Sequence, residues 1–198
     1  ILRINNINVA SIGTLGIKYN DKIIKTKLTS PDTITLHKNL NYLKNKKIDN
    51  VIIEASSHGL SQKRLHNIKF RGAIFTNFSQ DHLDYHKTMK MYLNAKLILF
   101  RKILSKKSTI ISNKEITTFK ILNQIAKKRN LKIVDINKTL KKIKSINLKF
   151  NEDFKIRNLA MAIEAVKLSG LSEKLIFRSI KKLKDINGRF ELVKRYPN

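Results

Sequence analysis

The sequence predicts an α/β fold, a doubly wound and mainly parallel sheet, and three observations support it. Short β-branched runs, such as Asn50–Glu54 and Ala73–Asn77, are separated by polar turns. They alternate with helical patterns of about 10 to 15 residues, which is typical of parallel βαβ units. The polar clusters around Ser56 and His82 each follow such a strand. In these sheets, ligands bind beyond the carboxyl ends of the strands.

The first part of the chain predicts two strands and then a helix. Ile7–Ile12 is short and apolar, and Gly13–Gly16 ends it. Lys22–Leu28 alternates apolar and basic residues, so it predicts a more exposed strand. Ser30 as N-cap and Pro31 in the first helical position predict the start of a helix. The apolar side of this helix carries Leu36, Leu40 and Leu43.

The strongest helical pattern follows the second polar cluster. Met89–Leu104 places Tyr92, Leu93, Leu97 and Phe100 on one side. The remaining predictions are strands at Thr109–Ile111, Lys132–Val134, Ile143–Phe150 and Phe190–Val193, and helices at Ile116–Lys128, Ile156–Leu168 and Ser172–Leu183.

The formal net charge is +28, because 42 lysines and arginines outnumber 14 acidic residues. This charge would suit nucleic acid or an anionic membrane surface. Only nine of the basic residues are arginine, although arginine is the residue that binds bases and phosphates bidentately. Abundant Lys, Ile and Asn are also what AT-rich codons supply. We therefore expect no nucleic-acid partner, and basic nucleic-acid binding is kept as the alternative.

Length and cysteine content narrow the class of protein further. The 198 residues suit one α/β domain, or one domain with a fragment of a second. The absence of cysteine excludes disulfides and thiolate metal sites. No apolar run reaches the 18 residues of a membrane span, so no membrane partner is expected. The chain opens with neither Met nor a signal peptide, which indicates a fragment.

One glutamate and one six-residue segment could each bind a metal ion. Glu54 ends an apolar strand, where its carboxylate could bind Mg²⁺, a cation that prefers oxygen ligands. A capping or ion-paired glutamate is the alternative. Asp81–His86 holds four ionisable residues in six positions, and its two histidines have i, i+4 spacing. Zinc is one interpretation, although no Glu follows the first histidine, and an ordinary helix N-terminus is the other.

A lysine and a polar cluster could also carry chemistry. Lys96 lies in a helix among apolar residues, where most lysines extend to water. A lysine drawn inward is more readily neutral, and a neutral amine can take up carbon dioxide as a carbamate. Four polar residues after the strand that Glu54 ends could bind an anionic sugar-peptide, or form a solvated first helical turn. They are Ser56, Ser57, Gln62 and Arg64.

Five segments, in this order and at this spacing, resemble the Mur ligase family. They are Ser11–Gly16, Thr29–Asp32, Glu54–Arg64, Phe75–His86 and Tyr92–Lys96. The resemblance covers nearly the whole chain and is most specific between Glu54 and Lys96. It implies the central ATP-binding domain, similar to P-loop NTPases, over residues 1–187. Residues 188–198 would begin the carboxy-terminal ligase domain.

The resemblance also implies a reaction and its residues. Such a ligase uses ATP and Mg²⁺ in the cytoplasm to add the third amino acid, diaminopimelate or lysine, to UDP-N-acetylmuramoyl-dipeptide through an acyl phosphate. Carried over by position, Glu54 and His82 are Mg²⁺ ligands, and a carbamylated Lys96 supports the second Mg²⁺. The substrate-binding residues are Thr29, Ser30, Ser56, Gln62 and Arg64. Asn158 approaches the adenine, and Arg189 the nucleotide.

Several features depart from the family pattern. The phosphate loop that precedes the first strand is missing, and Gly13–Gly16 lacks the Lys-Ser/Thr of such a loop. Ser30, Gln80 and Lys155 stand where the family often has Thr, Arg and Asn. The uridine-binding domain and most of the amino-acid-binding domain are also missing, so we expect the isolated chain not to use ATP. The alternatives are another member of the ligase superfamily, an inactive remnant or a basic nucleic-acid-binding module.

Overall fold

The structure is a computed structural model that describes residues 1–146, 148 and 152–183. Its strands are β1 (Val9–Gly13), β2 (Gly16–Tyr19), β3 (Lys22–Ile24), β4 (Asn50–Ile53), β5 (Gly72–Phe75), β6 (Thr109–Ser112) and β7 (Lys132–Asp135). Its α-helices are α1 (Thr33–Asn45), α2 (Ser57–Ser61), α3 (Leu83–His86), α4 (Met89–Ile98), α5 (Phe119–Arg129), α6 (Asn137–Lys144), α7 (Asp153–Lys167) and α8 (Glu173–Ile180). A 3₁₀ turn, Arg3–Asn5, precedes β1, and a π-helical turn, Leu99–Ile103, continues α4.

The strands form two hydrogen-bonded sheets, in the orders β3-β2-β1-β4 and β5-β6-β7. Parallel pairing joins β1 to β4, β5 to β6, and β6 to β7. The pairs β1–β2 and β2–β3 are antiparallel and form one edge of the first sheet. The predicted α/β class with mainly parallel pairing is therefore confirmed. The strand β2 and the division into two sheets were not predicted.

Helices cover both faces of the strands, as a doubly wound fold requires. Ile110 and Ile111 are successive residues of β6, so their side chains point to opposite faces. Ile110 joins a core cluster with Ile12 of β1 and with Leu97 of α4. Ile111 joins a second cluster, in which Ile163 of α7 is fully buried. Because Ile12 and Ile110 share one cluster, the two sheets share a core.

The start of α1 differs from the prediction. Asp32, and not Ser30, is the N-cap, and its side chain accepts a hydrogen bond from Thr35 N at 3.0 Å. Hydrogen bonding to Thr35 lowers the pKa of Asp32. Ser30 is fully buried and donates to Glu54 O instead. The Ser30 hydroxyl, which was predicted to cap α1, therefore binds Glu54 in the candidate site instead.

The predicted strand Ile143–Phe150 is wrong at its start, because α6 continues through Lys144. The apolar residues of α6 follow helical spacing, and Ile143 is fully buried in the second core cluster. Residues 147, 149 and 150 lie outside the described part of the chain, as does the predicted strand Phe190–Val193. Across the described ranges, no helix has the length and apolar character needed to cross a membrane.

Ion pairs of Glu173 link α8 to α6 and α7. The Glu173 carboxylate accepts a hydrogen bond from Lys142 of α6 and lies 3.3 Å from Lys167 Nζ of α7. The hydrogen bond from Lys142, helped by Lys167, lowers the pKa of Glu173. A lowered pKa means that this stabilisation is present above the unfolded-state pKa and is lost as pH falls through the folded-state pKa.

We expect Glu173→Gln to lower the free energy of unfolding by about 1 kcal/mol or less at neutral pH, because the ion pairs are exposed. The difference from the original chain should shrink as the pH is lowered and vanish at a low pH at which Glu173 is protonated in both the folded and the unfolded chain. Urea unfolding at the two pH values measures it. Glu115→Gln is the matched control, because the Glu115 carboxylate forms no ion pair with the described residues. A difference that persists at low pH would show that Glu173 does not stabilise through its charge.

Candidate active site

Glu54 follows β4 and lies against the turn that ends β1. Thr14 N donates to Glu54 Oε2 at 2.8 Å, and Thr14 Oγ1 donates to the same oxygen at 3.0 Å. The backbone N of Glu54 extends the parallel ladder to Ile12 O at 2.8 Å. A Cβ on Gly13 would lie 2.5 Å from Glu54 Oε2, so the close approach requires glycine. Glu54 Oε1 accepts no hydrogen bond from the described residues and can meet a cation.

Ser30 links Glu54 to the start of α2. Its buried Oγ donates to Glu54 O at 2.8 Å and accepts from Ser56 N at 3.0 Å. Ser56 is the N-cap of α2, and its Oγ lies 3.0 Å from the Ser30 Oγ. Thr29 Oγ1 lies 3.1 Å from Thr14 Oγ1. The structure therefore gathers Thr29, Ser30 and Ser56 around Glu54, at the carboxyl ends of β1 and β4.

Arg64 and Gln62 continue the same network toward α3. Arg64 Nη1 donates to Ser30 O at 2.8 Å, and Arg64 Nη2 donates to Gln62 Oε1. Gln62 Nε2 donates to the Tyr85 hydroxyl at 3.2 Å. Hydrogen bonds thus connect all five residues expected to bind substrate with Glu54. This group is called the Glu54 network below, and it comprises Thr14, Thr29, Ser30, Glu54, Ser56, Gln62, Arg64 and Tyr85.

His82 belongs to a second group, formed by rings from α2, α3 and α4. The His82 ring meets the His58 ring at 5.1 Å and the Tyr92 ring at 5.8 Å, both edge to face. The buried His86 ring stacks on Tyr92 at 5.3 Å, and its Nε2 lies 2.9 Å from Ser57 Oγ. Burial, with the charges of His58 and His82, lowers the pKa of His86. His86 is therefore neutral at neutral pH.

Lys96 lies one helical turn after Tyr92 and reaches back over its ring. The distance from Lys96 Nζ to the Tyr92 ring centre is 4.9 Å, within the range of a cation–π contact. The side chain is half-buried, so neither full burial nor simple extension into water describes it. Tyr92 contacts both His82 and Lys96, which brings two of the three expected catalytic residues together.

The geometry suits Mg²⁺ better than zinc. No three His, Asp or Glu side chains in the described ranges form a group that could hold a metal ion. Zinc needs three or four protein ligands, and His86 Nε2 already contacts Ser57. Magnesium keeps several waters and is bound by one or two carboxylates together with substrate phosphates. The free Oε1 of Glu54 fits that pattern.

Of the two residues expected at the nucleotide, Asn158 alone lies in the described part of the chain. Asn158 is exposed on α7, a helix that packs on β5 and β6. Among the described contacts, it belongs neither to the Glu54 network nor to the ring group. Arg189 lies outside the described residues, as does the proposed domain start at 188–198.

Three contributors to the site were not singled out by the sequence. Thr14 holds the Glu54 carboxylate, Tyr85 contacts both Gln62 and His58, and Tyr92 lies between His82 and Lys96. Each lies inside a segment that resembles Mur ligases. Their individual roles depend on contacts between segments, which spacing along the chain does not reveal.

Comparison with known proteins agrees with the fold and with the resemblance. Residues 1–171 match the sequence profile of the Mur ligase middle domain. The UDP-N-acetylmuramoyl-L-alanyl-D-glutamate--2,6-diaminopimelate ligase of Leptospira interrogans is 33% identical over 94% of this chain and 42% of its own length. The ligase of the same name from Wigglesworthia glossinidia brevipalpis is 37% identical over 96% of this chain and 43% of its own length.

A solved structure of a ligase with this name has the same fold. It matches with a TM-score of 0.81 at 21% identity, over 98% of this chain and 44% of that chain. The chain thus spans less than half the length of the relatives that it matches. With the profile match over residues 1–171, these likenesses show that the chain belongs to the Mur ligase family.

Proposed function

We propose that this chain is the central part of a ligase that adds diaminopimelate to UDP-N-acetylmuramoyl-L-Ala-D-Glu in peptidoglycan precursor synthesis. The choice of amino acid follows the names of the relatives. The observation that carries the proposal is the Glu54 network. It holds a carboxylate with one free oxygen beside the buried Ser30 hydroxyl and the Arg64 guanidinium. Such a site can hold a cation next to an anionic substrate.

In the proposed reaction, the substrate carboxylate attacks the γ-phosphorus of ATP, and ADP leaves. The amine of the incoming amino acid then attacks the acyl phosphate, and phosphate leaves from a tetrahedral intermediate. Positioning and charge neutralisation are the protein's main tasks in phosphoryl transfer. The residues proposed to bind the UDP-muramoyl-dipeptide are Thr29, Ser30, Ser56, Gln62 and Arg64. Arg64 is suited to this role because guanidinium groups bind carboxylates and phosphates strongly.

Glu54 and His82 are the proposed Mg²⁺ ligands, and Lys96 is the third metal-side residue. When bound, Mg²⁺ would neutralise the charge of the phosphate oxygens. The Lys96 ammonium would first lose a proton, and the neutral amine would then add to carbon dioxide and release a second proton, which leaves a carboxylate-like carbamate. The Lys96 amine and the His82 ring both contact the Tyr92 ring, which supports a shared role for them.

We also propose residues that contact the nucleotide, and a domain boundary. Asn158 would approach the adenine, and Arg189 would contact the nucleotide. Residues 1–187 would form the central ATP-binding domain, and residues 188–198 would begin the next domain. ATP and UDP-linked precursors are made in the cytoplasm, so we propose that the ligase acts there.

The test is to express this chain together with the coding sequence contiguous with it on both sides, here called the expressed ligase. We expect diaminopimelate-dependent and Mg²⁺-dependent release of phosphate from ATP with the UDP-muramoyl-dipeptide. Glu54→Gln should lower kcat/KM by about 100-fold, because a neutral amide replaces a metal-binding carboxylate. Glu115→Gln, an exposed carboxylate outside the site, should leave kcat/KM unchanged.

The isolated 198 residues should not use ATP, because they contain no phosphate-loop motif. Phosphate release by the isolated chain would contradict that expectation. An inactive expressed ligase would contradict the proposed function and favour an inactive remnant. Tight, steeply salt-dependent DNA binding by that inactive protein would instead favour the basic nucleic-acid-binding alternative.

A further inference from the structure

Tyr85 lies between the two groups of the candidate site. Its ring contacts the His58 ring at a centroid distance of 4.1 Å, and its hydroxyl contacts Gln62. The residue is 40% exposed, so a ligand can reach it. Nothing in the proposed reaction uses Tyr85, although it joins the Glu54 network to the ring group. This position raises the question of what its hydroxyl binds.

The direction of the hydrogen bonds answers part of that question. Arg64 has donors and no acceptor, so the Gln62 atom facing it is the carbonyl Oε1. The amide Nε2 therefore faces Tyr85, and this nitrogen can only donate. The Tyr85 oxygen is consequently the acceptor, and its own proton is unused. No acceptor among the described residues receives that proton.

This series of hydrogen bonds begins at the positively charged Arg64 guanidinium. Arg64 donates to Gln62, Gln62 donates to Tyr85, and each hydrogen bond polarises the next one. A phenol that accepts such a bond becomes a better donor. The acceptor that gains most from this donor is an anionic oxygen, a carboxylate or a phosphate.

We propose that the Tyr85 hydroxyl donates a hydrogen bond to an anionic oxygen of the UDP-muramoyl-dipeptide, which makes Tyr85 a substrate-binding residue. This inference rests on the proposed function, because it takes its ligand from that reaction. ATP also carries anionic oxygens, so the kinetic test measures the two substrates separately.

The first test is Tyr85→Phe in the expressed ligase. Phenylalanine keeps the ring against His58 and removes only the hydroxyl. We expect KM for the UDP-muramoyl-dipeptide to rise about tenfold, the size of one hydrogen bond to a charged group. The KM for ATP should stay within twofold. Tyr42→Phe is the matched control, because Tyr42 is 41% exposed and its hydroxyl bonds to Tyr19 at 2.7 Å, outside the site.

The second test reverses the last hydrogen bond. In Gln62→Glu, a carboxylate can accept from Arg64 and from Tyr85 together, so the Tyr85 proton is turned away from the ligand. We expect Gln62→Glu to raise KM for the dipeptide at least tenfold. Adding Tyr85→Phe to Gln62→Glu should change KM by less than about twofold, because the hydroxyl no longer serves the ligand.

The outcomes separate this inference from the proposed function. An active wild-type ligase whose dipeptide KM is unaffected by Tyr85→Phe would overturn the role of Tyr85 alone. A rise confined to KM for ATP would overturn the assignment to the dipeptide. Fully independent effects of Tyr85→Phe and Gln62→Glu would overturn that series of hydrogen bonds. A wild-type ligase without activity would overturn both the inference and the proposed function.

Discussion

Phe100→Ala is expected to lower the free energy of unfolding by about 3–5 kcal/mol, the usual cost of removing a buried phenylalanine. Phe100 is one of the largest fully buried side chains, and its ring packs on Phe75 at 5.8 Å. Phe75 lies on β5 and Phe100 on the turn that continues α4, so the pair holds that helix against the second sheet. Folded domains are stable by only about 5–15 kcal/mol. The loss therefore threatens the fold at physiological temperature.

Urea unfolding followed by circular dichroism measures this change. Ile34→Ala is the control, because Ile34 is 70% exposed on α1 and should change stability by less than about 0.5 kcal/mol. Similar losses for the two variants would show that the core cluster around Phe100 does not dominate stability. A loss below about 1 kcal/mol for Phe100→Ala would contradict the packing described above.

Much of the fold could be predicted, because the spacing of apolar residues along the sequence indicates which side chains are buried. Leu36 and Leu43 of α1 were assigned to the apolar side and are fully buried. The strands β4, β5, β6 and β7 also lie where short β-branched runs placed them. The prediction failed at Ile143–Lys144, where scattered apolar residues among lysines fit a helix as well as a strand. A short run of this kind is ambiguous until its partners are known.

The division into two sheets could not be predicted, because strand pairing is a tertiary property. Both β4 and β5 have the apolar pattern of buried central strands. Each is instead an end strand of its sheet, and Ile52 and Ile74 are 58% and 37% exposed. The strand β2 was missed for a related reason. Its register is set by the hairpin at Thr14 and Leu15, and not by a long apolar run.

The candidate site shows the same limit. Topology alone placed Glu54 and His82 at the carboxyl ends of strands, and the resemblance supplied their roles. The contact between Lys96 and Tyr92 follows from i, i+4 spacing on α4 and was accessible in principle. The contact between Thr14 and Glu54 joins residues 40 positions apart, and no local pattern encodes it. Distant contacts of this kind position the residues of the candidate site.

Gly13 gives the sharpest test of that positioning. Its Cβ, if present, would lie 2.5 Å from Glu54 Oε2 and 2.9 Å from Glu54 Cβ. Contacts this short cannot persist, so in Gly13→Ala the Glu54 carboxylate must leave Thr14. We expect kcat/KM of the expressed ligase to fall about 100-fold, as displacement of a catalytic group by about 1 Å can cause. Stability should fall by about 1–3 kcal/mol, the cost of overpacking.

The comparison with Glu54→Gln decides whether the loss acts through Glu54. If Gly13 matters because it admits that carboxylate, Gly13→Ala should reduce kcat/KM by less than about threefold in a ligase that already carries Glu54→Gln. A steady-state assay of the two single variants and the double variant, all confirmed folded by circular dichroism, completes the cycle. If the two losses of kcat/KM instead multiply in the double variant, Gly13 acts elsewhere, for example through the turn between β1 and β2. Full activity of Gly13→Ala would mean that the reaction does not depend on the position of Glu54.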